Sequence, residues 1–152
     1  MDVTEYRTVD KSTWTRGPWD HEPDKAQWTD DATRLPCLIV RGPHGALCGY
    51  VGVSPDHPWF GKGYDDEAAD VHGGLTFSGS CQEGGDPSRG ICHIPAEGQP
   101  DNVWWLGFDC AHYRDLIPLY RSNGGTYRDR AYVENECRNL ACQAKAVEGG
   151  WS

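Results

Sequence analysis

Nineteen glycines and ten prolines are scattered through the 152 residues without a period. Spacing of this kind cuts a chain into short pieces joined by turns, and it excludes long helices, collagen triplets and repeat arrays. One stretch escapes the interruptions. From Tyr127 to about Val147, Val133, Cys137, Leu140, Ala141 and Ala144 recur at i, i+4, i+7, i+8 and i+11, the stripe of an amphipathic helix. Thr126 followed three residues later by Asp129 reads as its start box, and Gly149-Gly150 as its stop. Upstream, the apolar runs 35–41 and 46–53 flank Gly42-Pro43-His44-Gly45 and predict a hairpin. Two more strands are expected at 71–78 and 103–109. The expected fold is one α+β domain, a small antiparallel sheet of about four strands within 35–112. The C-terminal helix at 127–147 packs on one face, and the loops are long and irregular. Residues 1–34, rich in tryptophan and charge, are expected as an irregular arm with one helical turn from Pro23 to Trp28, because proline suits a first helical position.

The chain carries 14 basic against 23 acidic residues, a net charge of −9. That balance argues against a grip on nucleic-acid polymers or anionic membranes, both of which need clustered Lys and Arg. It suits solubility or an acidic surface that docks on a basic partner. The start, Met1-Asp2-Val3-Thr4-Glu5, has neither a basic leader nor an apolar run, so the expected location is the cytoplasm. There the seven cysteines, odd in number and without a Cys-x-x-Cys pair, read as mostly free thiols. Cys137 and Cys142, five apart on a helix, point away from each other.

Candidate chemistry concentrates in two motifs, residues 71–78 (VHGGLTFS) and 104–112 (WWLGFDCAH). Strand alternation puts Val71, Leu75, Phe77, Leu106, Phe108 and Cys110 on the helix side. The opposite face then collects His72, Thr76, Ser78, Trp105 and Asp109, with His112 just beyond and glycines at 74 and 107 opening the backbone to a ligand. His72, Asp109 and His112 are the residue types of general acid–base catalysis, and they are the candidate catalytic set if the chain is an enzyme. Their spacing matches no metal motif, and neither a metal nor another cofactor is expected. Cys110 points into the core and is a poor nucleophile. As a binding site, the same face would use Trp19 and Trp105 for stacking, and His72, Thr76, Ser78 and Asp109 for hydrogen bonds. Arg114 would neutralise an anion there, with Arg121, Arg128 and Arg130 close behind it in the chain. The acidic run Asp65, Asp66, Glu67 and Asp70 lacks the rhythm of a calcium loop and reads as a solvated turn. His57-Pro58-Trp59 and Cys92-His93 read as structural.

Together with Gly49-Tyr50-Val51-Gly52-Val53, His57-Pro58, Tyr64-Asp65-Asp66, the Gly17-Pro18-Trp19 and Glu22-Pro23-Asp24-Lys25 segments and Tyr127-Arg128-Asp129, these motifs resemble a family of small proteins encoded in phage genomes and bacterial prophages. The resemblance spans most of the chain and implies no particular activity. It implies a cytoplasmic accessory protein of infection that neutralises a host defence. The leading expectation is therefore a protein that sequesters a small, nucleotide-like ligand. The alternatives are a phosphodiester-type hydrolase using His72, Asp109 and His112, and an acidic protein that blocks a host protein. Oligomeric state stays open.

Overall fold

Six strands form one antiparallel sheet in the order β1-β2-β3-β4-β6-β5. They are β1 (Thr4–Tyr6), β2 (Lys25–Thr29), β3 (Pro36–Arg41), β4 (Leu47–Val53), β5 (Phe77–Ser80) and β6 (Trp104–Asp109). A single helix, α1 (Arg130–Glu148), lies across one face, which makes the class α+β. These descriptions come from a computed structural model and cover residues 3–65, 69–81, 85–88, 90–112, 114–119 and 125–148.

The β3–β4 hairpin follows the predicted pattern. Its turn closes with Gly42 N–H on the Ala46 carbonyl, and Gly45 takes a φ of 102° that only glycine adopts freely. Alternation then sorts the two faces. Trp28, Cys37, Ile39, Leu47, Val51, Val53, Leu106 and Phe108 meet the helix stripe Val133, Cys137, Leu140, Ala141 and Ala144 in the main core. Where β4 pairs with β6, Phe108 lies over Gly49 on the helix face and Tyr50 over Gly107 on the other, so each ring occupies the space of an absent side chain. Gly107 therefore opens no backbone to a ligand. The other face has its own smaller core of Leu38, Val103 and Trp105, flanked by Val40, Tyr50, Phe77 and Ile91.

Other expectations are corrected by the chain's pairing. The arm 1–34 supplies two strands and a short 3₁₀ turn, Pro18–His21, and Pro23–Trp28 is β2 rather than a helical turn. Ala26 and Trp28 alternate into the core, and cross-strand pairing with β3 overrides the helix-start signal of Pro23. Residues 71–74 are a turn, closed by Gly74 N–H on the Val71 carbonyl, with Gly73 and Gly74 at φ of 69° and 79°. Two consecutive left-handed residues cannot be extended, so the strand begins only at Phe77, which packs with Tyr50 away from the helix. Most of the cysteines are free as expected, five of the seven, but Cys81 and Cys92 form a disulfide that the sequence reading did not foresee. That bond is one that oxidising compartments preserve and a reducing cytoplasm opens. At the start of α1 the Asp129 Oδ1 accepts the Tyr132 N–H at 2.9 Å, while Thr126, expected in the start box, pairs with Asp115 in an isolated bridge.

Buried charge ties the N-terminal segment to the rest. Arg41, with a fully buried side chain, spends all five N–H donors, on Asp24, Glu22, the Pro23 and Gly45 carbonyls and the Tyr127 hydroxyl. Asp24 also accepts Lys11 at 2.6 Å and the Thr8 and Val9 N–H groups. Glu22 accepts the Tyr127 hydroxyl and the Arg130 N–H at the start of α1. On the smaller-core face the buried Lys25 donates to the Cys92 carbonyl, and burial lowers its pKa to about 8. His57 is structural as expected, bonding the Ala144 carbonyl through Nε2. No helix among the described residues is long and apolar enough to cross a membrane.

Candidate functional site

The 71–74 turn, the segment after β6 and the first turns of α1 meet at one end of the sheet. Their centre is Asp115, fully buried and absent from the expected set. Its Oδ2 accepts His72 Nε2 at 2.8 Å and the His112 N–H at 3.0 Å, and its Oδ1 accepts Arg128 Nε at 2.9 Å. Burial alone would raise this carboxyl, but the bonds from His72, Arg128 and His112 outweigh it and hold the group below the usual carboxylate range. The backbone around Asp115 is fixed by the bridge to Thr126, with Thr126 N–H on the Arg114 carbonyl and Leu116 N–H on the Thr126 carbonyl. Gly125 makes that bridge possible, since a Cβ there would overlap the backbone of Arg114 and Asp115.

His72 is held on every side. Its Nδ1 lies 2.7 Å from the Tyr132 hydroxyl, and its backbone N–H donates to Glu136 at 2.8 Å. Tyr132 and Glu136 are four apart on α1 and so share the face that meets the turn. Burial and the neighbouring Glu136 carboxylate raise the Tyr132 phenol, keeping it protonated at neutral pH. The Arg128 guanidinium sits 5.0 Å above the Tyr132 ring, and beyond its Nε bond its terminal amino groups make no hydrogen bond among the described residues. His112 completes the cluster, its ring 5.9 Å from that of His72 and edge-on to it. Its Nε2 packs on Gly73 and lies 3.1 Å from Asp109 Oδ1, an ion-pair distance without hydrogen-bond alignment. Asp109 also accepts Thr76 Oγ1 at 3.2 Å and the Ala111 N–H.

The structure thus brings together His72, Thr76, Asp109 and His112 and adds Asp115, Arg128 and Tyr132. It separates the remainder. Trp105 is buried in the smaller core against His93, and Trp19 is buried edge-on to Tyr127 with its indole N–H on the Thr15 carbonyl. Neither ring is open for stacking, a correction to the expected pocket. Large aromatics were needed to fill a second core that alternation alone did not reveal. Ser78 accepts the Tyr64 N–H instead of facing the histidines. Arg114 is exposed at a φ of 77°, Arg130 pairs with Glu5, and Arg121 lies outside the described residues, as do Asp66 and Glu67. Cys110 is buried, and burial pushes its thiol far up, as its inward parity predicts. Among the described residues no group of three or more His, Cys, Asp or Glu is placed to hold a metal ion. The one signal for Asp115 was its position three residues after His112, the spacing of a side chain that closes a turn.

No protein family, curated protein or solved structure matches this chain.

Proposed function

We propose that the chain is a phosphodiester-type hydrolase whose reaction centre is the cluster at the start of α1. The observation that supports this most is the buried Asp115 carboxylate, which fixes one nitrogen of His72 and turns the other onto a half-buried phenol. In its charged form His72 donates through both nitrogens, to Asp115 and to the Tyr132 oxygen. The phenol proton is then free for a substrate oxygen, and the phenolate left behind is stabilised. Across a bound diester, water forms the new bond to phosphorus and yields its proton to the His112 ring. The bond to the departing alcohol breaks, and that oxygen takes the Tyr132 proton. His112 then returns its proton to solvent, and Tyr132 regains one. The Arg128 amino groups, which make no hydrogen bond among the described residues, suit a non-bridging phosphate oxygen, and Asp109 sits beside His112. Nucleotide signals are the substrates to try first, on the strength of the phage resemblance alone.

The test is turnover of cyclic and linear dinucleotides, with products read by mass spectrometry, for the wild type, Tyr132→Phe and His112→Ala. Expected is cleavage by the wild type and a loss of about a hundredfold or more in each variant, with melting temperatures close to wild type. Full activity in Tyr132→Phe, or intact nucleotides after prolonged incubation with wild type, would refute the proposal.

A further inference from the structure

At the opposite end of α1, some 20 Å along the helix from Tyr132 by its rise per residue, lies a groove of about 900 Å³. Its walls are the ends of β2 and β4, the start of β3, the segment 93–100 and the last turn of α1. None of the histidine cluster lines it. The floor is apolar, with Pro36, Val53 and Val103, and the exposed Ile94 stands at one wall. That wall is held by paired main-chain-like bonds, because the Gln27 side-chain amide donates to the Ile94 carbonyl and accepts its N–H.

The ionisable lining is unbalanced. Asp31, Asp56, Glu97 and Glu148 face Arg34 and Lys145, and Lys145 is already committed to Glu148 at 3.3 Å. Asp31, Asp56 and Glu97 are exposed, come from three separate segments and make no side-chain bond or ion pair among the described residues. An anionic ligand such as a nucleotide would meet a net negative rim here. A cation alone would leave the apolar floor and the exposed Arg34 guanidinium unanswered. A ligand that carries positive groups, apolar groups and carbonyl oxygens answers all three features.

We infer that this groove binds a short basic peptide segment of a partner protein, with its Lys or Arg side chains on Asp31, Asp56 and Glu97, its apolar side chains on the Pro36–Val53–Val103 floor and its main-chain carbonyls toward Arg34. The inference is independent of the histidine cluster.

The test is fluorescence anisotropy with a dye-labelled hexapeptide alternating lysine and valine, against its glutamate–valine counterpart. The full chain is compared with the triple variant Asp31→Asn/Asp56→Asn/Glu97→Gln and with Asp65→Asn/Glu134→Gln, which removes two carboxylates elsewhere. All five residues are surface groups, so the variants should fold. Expected is saturable binding of the basic peptide only, weakened about tenfold in the triple variant and unchanged in the control. Equal weakening in both variants would mean attraction by overall charge and overturn the inference. So would binding of the acidic peptide, absence of binding, or spermine binding as tightly as the peptide.

Discussion

Replacing Gly73 by alanine tests the packing of the cluster without touching a titratable group. Gly73 has a φ of 69°, and a Cβ there would overlap Nε2 and Cδ2 of His112, with Cε1 at 2.9 Å. Two costs arise, and they are separable. Holding alanine in the left-handed region costs about 1 kcal/mol whatever surrounds it. Forcing the His112 ring off its rotamer and away from Asp109 costs about 1 kcal/mol more, and only while the ring is present. Gly73→Ala should therefore cost about 2 kcal/mol in the wild type and about 1 kcal/mol in a His112→Ala background. The assay is denaturant unfolding of the four proteins of this double-mutant cycle, which resolves couplings above about 0.5 kcal/mol. A Gly73→Ala cost that is the same in both backgrounds would refute the placement of His112 on Gly73, and with it the approach of the two imidazoles.

Gly125→Ala should break the Asp115–Thr126 bridge and lose the proposed turnover more completely than it loses stability, which parallel melting and activity measurements check. The depressed Asp115 pKa contributes stability that is present above the unfolded carboxylate value and lost as pH falls through the folded one, so Asp115→Asn should be less stable than wild type at pH 7 by about 2–3 kcal/mol, with the gap closing in acid unfolding titrations. Lys25 gives the same slope from a different origin, because its burial is a cost that lifts once the folded chain releases the proton. Between pH 8 and its unfolded value of 10.5 the unfolded chain holds a proton the folded chain has released, so stability should rise by about 1–2 kcal/mol from pH 8 to 9.5, and this rise should vanish in Lys25→Met. Reducing Cys81–Cys92, which closes a loop of 11 residues, should lower stability by about 3 kcal/mol, seen as a drop of several degrees in melting temperature on adding dithiothreitol.

The helix and the β3–β4 hairpin were legible because their signals are local. The stripe from Val133 to Ala144 and the turn at Gly42–Gly45 depend on residues a few positions apart. What stayed hidden depends on distant partners. β2 is a strand because β3 offers it an edge, and β1 because β2 then offers the next one, and no run within 1–34 states that. The candidate cluster was half visible for the same reason. His72, Asp109 and His112 stand in motifs whose residue types are unusual for a strand, whereas Asp115, Arg128 and Tyr132 acquire meaning only when α1 is laid beside the 71–74 turn. Gly73-Gly74 was a turn signal inside a stretch read as extended, and the positive φ of both residues is what that signal stood for.

The full commitment of Arg41 limits how this protein can be shortened. A chain beginning at Leu35 would keep the hairpin, β5, β6 and α1, yet it would leave a guanidinium in the interior without Asp24, Glu22 or the Pro23 carbonyl, and α1 without the carboxylate on its Arg130 N–H. The first 34 residues are thus a required half of a salt-bridged weld and no tail. A search for a minimal folded fragment should leave everything from β1 onward in place.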